Sequence, residues 1–148
     1  MSAIPEEHGN SMSMSALLQL MYAGQLTGQQ VQQLSPAALA YLGDAVYELY
    51  VRSQYLLPPK RLQTYHHQVV ARVRAEGQAL DLRSLEPYLT ISECDLVRRG
   101  RNAACSRPKR VSSQTYQQAT GLEMLVGYLY LTDPQRLGEL LAHIDLEL

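Results

Sequence analysis

Two carboxylates in this 148-residue chain stand among small and apolar neighbours. Asp44 lies within residues 38–47 and Glu123 within residues 119–131, and neither stretch contains a lysine or arginine. An ionised carboxylate in such surroundings is costly unless a metal ion, a hydrogen-bond donor or water meets it. The alternative for each residue is an exposed acid on a solvated face.

Two such acids brought together from separate helices would suit a hard divalent cation. Mg²⁺ usually takes one or two protein carboxylates, keeps several waters and binds substrate phosphate oxygens. A cation held in this way can activate water and stabilise the charge that develops on a phosphate. Asp44 and Glu123 are therefore candidate metal ligands and candidate catalytic residues. Glu48, one turn after Asp44, either supports it or is solvated.

A glycine precedes Asp44 inside a strongly helical pattern. Gly43 costs its helix about 1 kcal/mol relative to alanine. A glycine tolerated there predicts the close approach of another backbone or of a ligand.

The elements that must position these acids are helices, because no segment alternates with period two over a useful length. Residues 1–14 are expected to form a mobile tail, and residues 15–148 a single domain. Ser35-Pro36 predicts one helix start, and Ser92 with Asp95 predicts another through a capping box. The predicted helices cover residues 15–24, 27–34, 35–56, 61–80, 92–101, 113–131 and 135–146. We therefore expect an all-α fold built as a helical bundle.

Composition narrows the class of protein. No apolar run is long enough to cross a bilayer, and the N-terminal residues resemble no secretory or transit signal. Cys94 and Cys105 lack a metal-ligand pattern. A cytoplasmic protein with free thiols is expected. The chain has ten tyrosines but no phenylalanine or tryptophan. Tyrosines should therefore fill the core, with their hydroxyls reaching a partner or water.

Positive charge is concentrated in one part of the sequence. The net charge is −1, yet residues 52–110 hold 12 of the 13 lysines and arginines against five acids. This asymmetry is typical of a phosphate-facing surface. The candidate RNA-contacting residues are Arg72, Arg74, Arg98, Arg99, Arg101, Arg107, Lys109 and Arg110. The alternative is that they are solvated or only complement a helix dipole.

His66 shares a helical stripe with Leu62, Val69 and Val73. A core or interface histidine is the favoured interpretation, ahead of a metal ligand.

Three segments resemble the ribonuclease III family. Residues 38–48, ALAYLGDAVYE, resemble the signature helix of its endonuclease domain, most closely that of the compact branch, the Mini-ribonucleases III. Residues 114–131 resemble the second catalytic helix, and residues 98–103, RRGRNA, resemble a run characteristic of the compact branch. The resemblance spans about residues 34–141, with the segments in the expected order.

The resemblance implies roles for individual residues. Asp44 matches the invariant aspartate of the signature helix, and Glu123 matches the principal metal-binding glutamate. Ala40 and Thr120 stand where full-length enzymes carry two further acids, and the compact branch is similar at both places.

The same resemblance implies an activity. The implied activity is cleavage of double-stranded RNA with Mg²⁺, or with Mn²⁺ as a substitute. The implied enzyme is a two-fold homodimer, and its products carry 5′-phosphates. The typical substrate of the compact branch is precursor large-subunit ribosomal RNA. Only 17 residues follow Leu131, so the catalytic domain itself is expected to hold the RNA. One alternative is a catalytically silent RNA-binding or ribosome-assembly protein on the same fold. An all-helical nucleotide hydrolase is disfavoured because clustered Glu-x-x-Glu motifs are lacking.

Overall fold

The computed structural model describes residues 26–104 and 110–146, which form α-helices, one short 3-10 helix and connecting turns. The α-helices are α1 (Gly28–Gln33), α2 (Pro36–Gln54), α3 (Leu62–Val73), α4 (Ala75–Leu85), α5 (Ile91–Ala103), α6 (Ser113–Thr132) and α7 (Pro134–Leu141), and the 3-10 helix is Glu86–Tyr88. No strand occurs in these ranges, so the all-α prediction is confirmed. The predicted tail and the predicted helix at residues 15–24 lie outside the described residues.

Helix α6 is the centre of the bundle. It packs against α2, α5 and α4, and its buried residues occur on nearly every side. A helix that is apolar all round is expected to be enclosed by others. The core around it consists mainly of Leu39, Val51, Leu82, Leu85, Leu96, Leu122, Leu125, Leu129, Leu137 and Leu140.

Tyrosines complete this core, as the composition predicts. Tyr47 is fully buried, and its hydroxyl donates to Asp81. Tyr50, half-buried on the same helix, donates its hydroxyl to the Leu141 carbonyl at 3.0 Å, so the end of α7 is tied to α2.

Most helix starts follow the local capping chemistry. Ser35 accepts a hydrogen bond from the Ala38 amide ahead of α2, and Ser112 caps α6 in the same way. The predicted Ser92 cap is wrong, because Ser92 lies inside α5. Thr90, with an extended backbone, is the residue that caps α5, and Glu93 completes the capping box.

The predicted helix at residues 61–80 is also wrong as a single element. The backbone of Arg74 is extended (φ −68°, ψ 163°), which separates α3 from α4. A Cβ on Gly77 would lie 2.1 Å from the Arg72 carbonyl oxygen, so this turn requires glycine. The Tyr47 hydroxyl oxygen also lies 3.4 Å from this carbonyl oxygen. The separation of α3 from α4 therefore depends on contacts between distant residues, which the periodicity of the sequence does not show.

The closing helix is shorter than predicted. Helix α7 ends at Leu141, and residues 144–146 are not helical. Arg136 on α7 holds the Glu93 carboxylate with two nitrogens, each at 2.9 Å, and thereby joins α7 to α5. Within the described ranges, no helix is long and apolar enough to cross a membrane.

Candidate active site

Helices α2 and α6 touch backbone to backbone at the candidate site. A Cβ on Gly43 would lie 1.7 Å from the Glu123 carbonyl oxygen. A Cβ on Gly127 would lie 2.0 Å from the Leu39 carbonyl oxygen. The prediction that another backbone approaches Gly43 is therefore confirmed. Asp44 follows Gly43 directly, so this crossing brings it beside Glu123.

The two carboxylates influence each other electrostatically. Burial, with the charge of Asp44, raises the pKa of Glu123 from 4.5 to about 7. The pKa of Asp44 is also raised, first by burial and then by the charge of Glu48. Across the part of the chain that the structure describes, no lysine or arginine forms an ion pair with either acid. The site therefore carries negative charge that no protein cation compensates.

A buried amide meets both acids. Gln78 on α4 is 2% exposed, and its Nε2 donates to the Asp44 Oδ1 at 3.4 Å. A hydrogen bond from Gln78 also favours the ionised form of Glu123, against the effect of burial. Sequence reasoning missed this residue. The available signal was a glutamine at helical spacing from Leu82 and Leu85, which places an amide on a core-facing stripe.

Glu48 is half-buried one turn after Asp44. Its carboxylate pairs with Arg52, one turn on, at 2.5 Å, and its charge also raises the pKa of Asp44. Both sequence interpretations of Glu48, a support for Asp44 or a solvated acid, therefore stay open.

Glu123 and Gln78 line an open cleft of about 570 Å³ between α3, α4 and α6. The other polar residues that line the cleft are Arg74, Glu76, Arg110, Tyr116 and Thr120, and the rest of its lining is apolar, namely Val70, Val73, Ala75, Val111 and Ala119. Two arginines and the carboxylates of Glu76 and Glu123 thus line the same cleft. That arrangement can receive a phosphate group while keeping a place for a cation.

The donor set fits a magnesium-like ion. The described residues contain no cluster of three or more histidine, cysteine, aspartate or glutamate side chains that could form a closed metal site. Asp44 and Glu123 could supply two hard oxygen ligands, as many as Mg²⁺ usually takes from a protein, with the rest of its shell left to water and phosphate. The uncompensated charge of the pair is the feature that such an ion would neutralise.

The other predicted RNA contacts are dispersed. Arg98 and Arg99 are exposed near the end of α5, Arg101 is half-buried there, and Arg98 pairs with Asp95 on the same helix. Arg107 and Lys109 lie outside the described residues. Of the predicted set, Arg74 and Arg110 are the ones that line the cleft beside Glu123.

Arg72 has a structural role. Its guanidinium pairs with the fully buried Asp81 and donates to the Asp145 carbonyl at 2.8 Å. Asp81 also accepts from the Tyr47 hydroxyl, so this cluster joins α2, α3 and α4. The prediction that Arg72 belongs to the RNA-contacting set is corrected here, because its charge is used inside the fold.

His66 is exposed on α3 and is not a core residue of this chain. The core alternative predicted for it is therefore wrong.

Known proteins resemble this chain in sequence and in fold. A family model described as the Ribonuclease III domain matches residues 37–134. The chain is 61% identical to the Mini-ribonuclease 3 of Synechocystis sp. over 116 residues, covering 78% of this chain and 81% of that protein. It is 54% identical to the Mini-ribonuclease 3 of Gloeobacter violaceus, covering 78% and 86% of the two chains. The fold resembles a Fusobacterium nucleatum protein solved by X-ray crystallography, with a TM-score of 0.68, 28% identity, and coverage of 74% of this chain and 91% of that one.

Proposed function

This chain belongs to the ribonuclease III family, and we propose that it is an endoribonuclease that cleaves double-stranded RNA with a divalent cation held by Asp44 and Glu123. The observation that carries the proposal is the meeting of these two carboxylates, without a cationic partner, across the glycine contact of α2 and α6. A cation bound there, for which we propose Mg²⁺ with Mn²⁺ as a substitute, supplies Lewis acidity toward water and toward the scissile phosphate.

The protein residues do the positioning. Asp44 and Glu123 hold the cation from two helices whose backbones are in contact, so their spacing does not depend on a loop. Arg74 and Arg110 line the same cleft as Glu123 and would contact phosphates next to the one that is cut. The expected products carry 5′-phosphates.

Recognition of RNA should be electrostatic and shape-dependent. A-form RNA hides its base edges in a deep, narrow groove, so proteins contact mainly its phosphates and 2′-hydroxyls. The exposed arginines at the end of α5 extend the positive surface beyond the cleft. Binding should therefore weaken steeply with salt and depend little on sequence. Precursor large-subunit ribosomal RNA, which is extensively double-stranded, is the substrate we propose.

A two-fold homodimer is part of the proposal. The side of α2 that is turned away from α6 exposes Tyr41 (85%), Ala45 and Leu49 (44%) at intervals of four residues. This spacing makes one apolar stripe on a helix. A second copy covering the stripe would place two active sites on one RNA duplex, one for each strand. We also propose that residues 15–148 form one catalytic domain and that the protein works in the cytoplasm, where its exposed Cys94 thiol would remain reduced.

The test is cleavage of a structured RNA in Mg²⁺ by the wild type, Asp44→Asn and Glu123→Gln. Both variants keep the shape of the side chain and remove its charge, so each should reduce cleavage by several orders of magnitude while still binding RNA. Glu86→Gln makes the change made in Glu123→Gln at an exposed site outside the cleft and should cut normally. Equal cleavage by the wild type and Asp44→Asn would refute the assigned role. Salt-sensitive RNA binding by a wild type that never cleaves would favour the catalytically silent alternative.

A further inference from the structure

Gln78 lies where a third helix reaches both acidic residues. Its side chain is buried, its amide donates to the Asp44 Oδ1 at 3.4 Å, and it lines the cleft together with Glu123, whose pKa it lowers against the effect of burial. We propose that Gln78 is a positioning residue, whose amide holds the two carboxylates at the separation that the divalent cation requires. This inference rests on the proposed function, because it assigns Gln78 a part in the same cation site.

An amide suits this position for chemical reasons. A glutamine side chain carries two N–H donors, so one residue can serve two acceptors. A lysine or arginine at position 78 would also hold the two acids together, but its positive charge would occupy the place of the cation. The amide adds no net charge, and each carboxylate has about four acceptor positions, so oxygens remain free for a metal ion.

The amide is itself held in place by the fold. Asp44 on α2 pairs with Gln78 on α4, and Tyr47, three residues after Asp44, pairs with Asp81, three residues after Gln78. The two helices are thus joined by two side-chain hydrogen bonds about one turn apart. Arg72 fixes the second of these through its ion pair with Asp81. The part of α4 that carries Gln78 is therefore held against α2 by a buried ionic cluster.

Without the amide, the two acids would have no shared donor. Their mutual repulsion would favour rotamers that point apart, and a cation would have to draw them together again. Loss of a hydrogen bond to a metal ligand typically weakens metal affinity about 10- to 100-fold. We therefore expect loss of the Gln78 amide to weaken cation binding at least about tenfold.

The experiment measures Mn²⁺ binding to the full chain without RNA, from the electron paramagnetic resonance signal of free Mn²⁺. Gln78→Met keeps the length and volume of the side chain and removes both donors. Gln78→Asn keeps the amide but shortens the side chain, so it cannot reach both acids. If the methionine variant does not fold, Mn²⁺ binding is measured on the asparagine variant instead. Gln68→Met makes the same change at an exposed site on α3 and serves as the matched control.

Support for the proposal would be at least about tenfold weaker Mn²⁺ binding by the Gln78 variants, with circular dichroism and Gln68→Met binding unchanged. The cleavage rate of Gln78→Met should then recover substantially at high Mg²⁺, which a defect in packing alone would not do. Wild-type affinity in the Gln78 variants, together with loss of binding in Asp44→Asn, would overturn the positioning role and leave the nuclease site intact. Equal Mn²⁺ binding by the wild type and Asp44→Asn would overturn the cation site and the role of Gln78 together.

Discussion

Replacing Glu123 by glutamine should stabilise the protein in the absence of metal while it removes activity. Burial and the Asp44 charge raise the pKa of Glu123 from 4.5 to about 7. Because the folded-state value is raised, the ionised carboxylate opposes folding. This opposition is absent below pH 4.5, grows as the pH rises to about 7 and is complete above that. The difference amounts to about 3 kcal/mol at pH 8. Glu123→Gln keeps the shape of the side chain without this cost, so its free energy of unfolding should rise by up to about 3 kcal/mol.

The assay is urea unfolding in EDTA, followed by circular dichroism at pH 8 and at pH 5. Most of the stabilisation should disappear at pH 5, where the wild-type carboxyl is protonated in the fold. Glu86→Gln, on an exposed glutamate, should leave stability within about 0.5 kcal/mol of the wild type at both pH values. Adding Mg²⁺ should stabilise the wild type and leave Glu123→Gln unchanged. The reasoning is refuted if Glu123→Gln is no more stable than the wild type at pH 8 in EDTA.

Three further predictions concern the site and its support. At a Mg²⁺ concentration too low to saturate the site, cleavage by the wild type should fall as the pH drops below about 7, because protons compete with the cation for Glu123. A flat rate profile from pH 6 to pH 8 under these conditions would contradict this. Gly43→Ala should lower stability by about 3 kcal/mol in thermal unfolding, the upper end of the usual overpacking cost, because its Cβ would meet backbone at 1.7 Å. Gly138→Ala, which meets nothing within 4 Å, is the matched control and should be neutral or stabilising. Arg72→Met should cost about 3–5 kcal/mol of unfolding free energy, because it leaves the buried Asp81 carboxylate unpaired. The RNA affinity of the folded Arg72→Met protein should be unchanged, and a selective loss of RNA binding would restore Arg72 to the RNA surface.

The fold class and the two acids could be predicted from sequence because their signals are local. Helical periodicity and caps such as Ser35-Pro36 are properties of neighbouring residues. An acid among small and apolar residues, as at Asp44, is also visible in a short window. Gly43 was informative for the same reason, because it is visible in a short window. A glycine destabilises the helix that contains it, so its presence indicates a stabilising contact with another part of the protein.

Arg72 shows why other features could not be predicted. On one continuous helix, residues 72 and 81 would lie on opposite faces, since nine residues make two and a half turns. The break at Arg74 brings their side chains together, and that break depends on Gly77 and on a hydroxyl from α2. The partner of Arg72 therefore becomes apparent only after the helices have packed.

Gln78 was missed for a related reason. Its neighbours in sequence indicate only that its stripe faces the interior. Its contact with two acids, one 34 residues earlier and the other on α6, depends on how α4 lies against two other helices. The choice of Thr90 over Ser92 as the cap of α5 is a smaller case, because both residues have the required hydroxyl and the path of the preceding chain decides between them.

The glycine contact between α2 and α6 has a consequence for the choice of metal. Mg²⁺ requires oxygen ligands at about 2.0–2.1 Å in a regular octahedron, whereas Ca²⁺ accepts about 2.3–2.6 Å and an irregular shell. An active site carried on flexible loops could expand to admit the larger ion. Here the main chains at Gly43 and Gly127 already touch, so the helices cannot move closer, and their packing resists separation. For the proposed cation, this rigidity would act as a filter on ionic radius, set by backbone contact and not by the identity of the ligands.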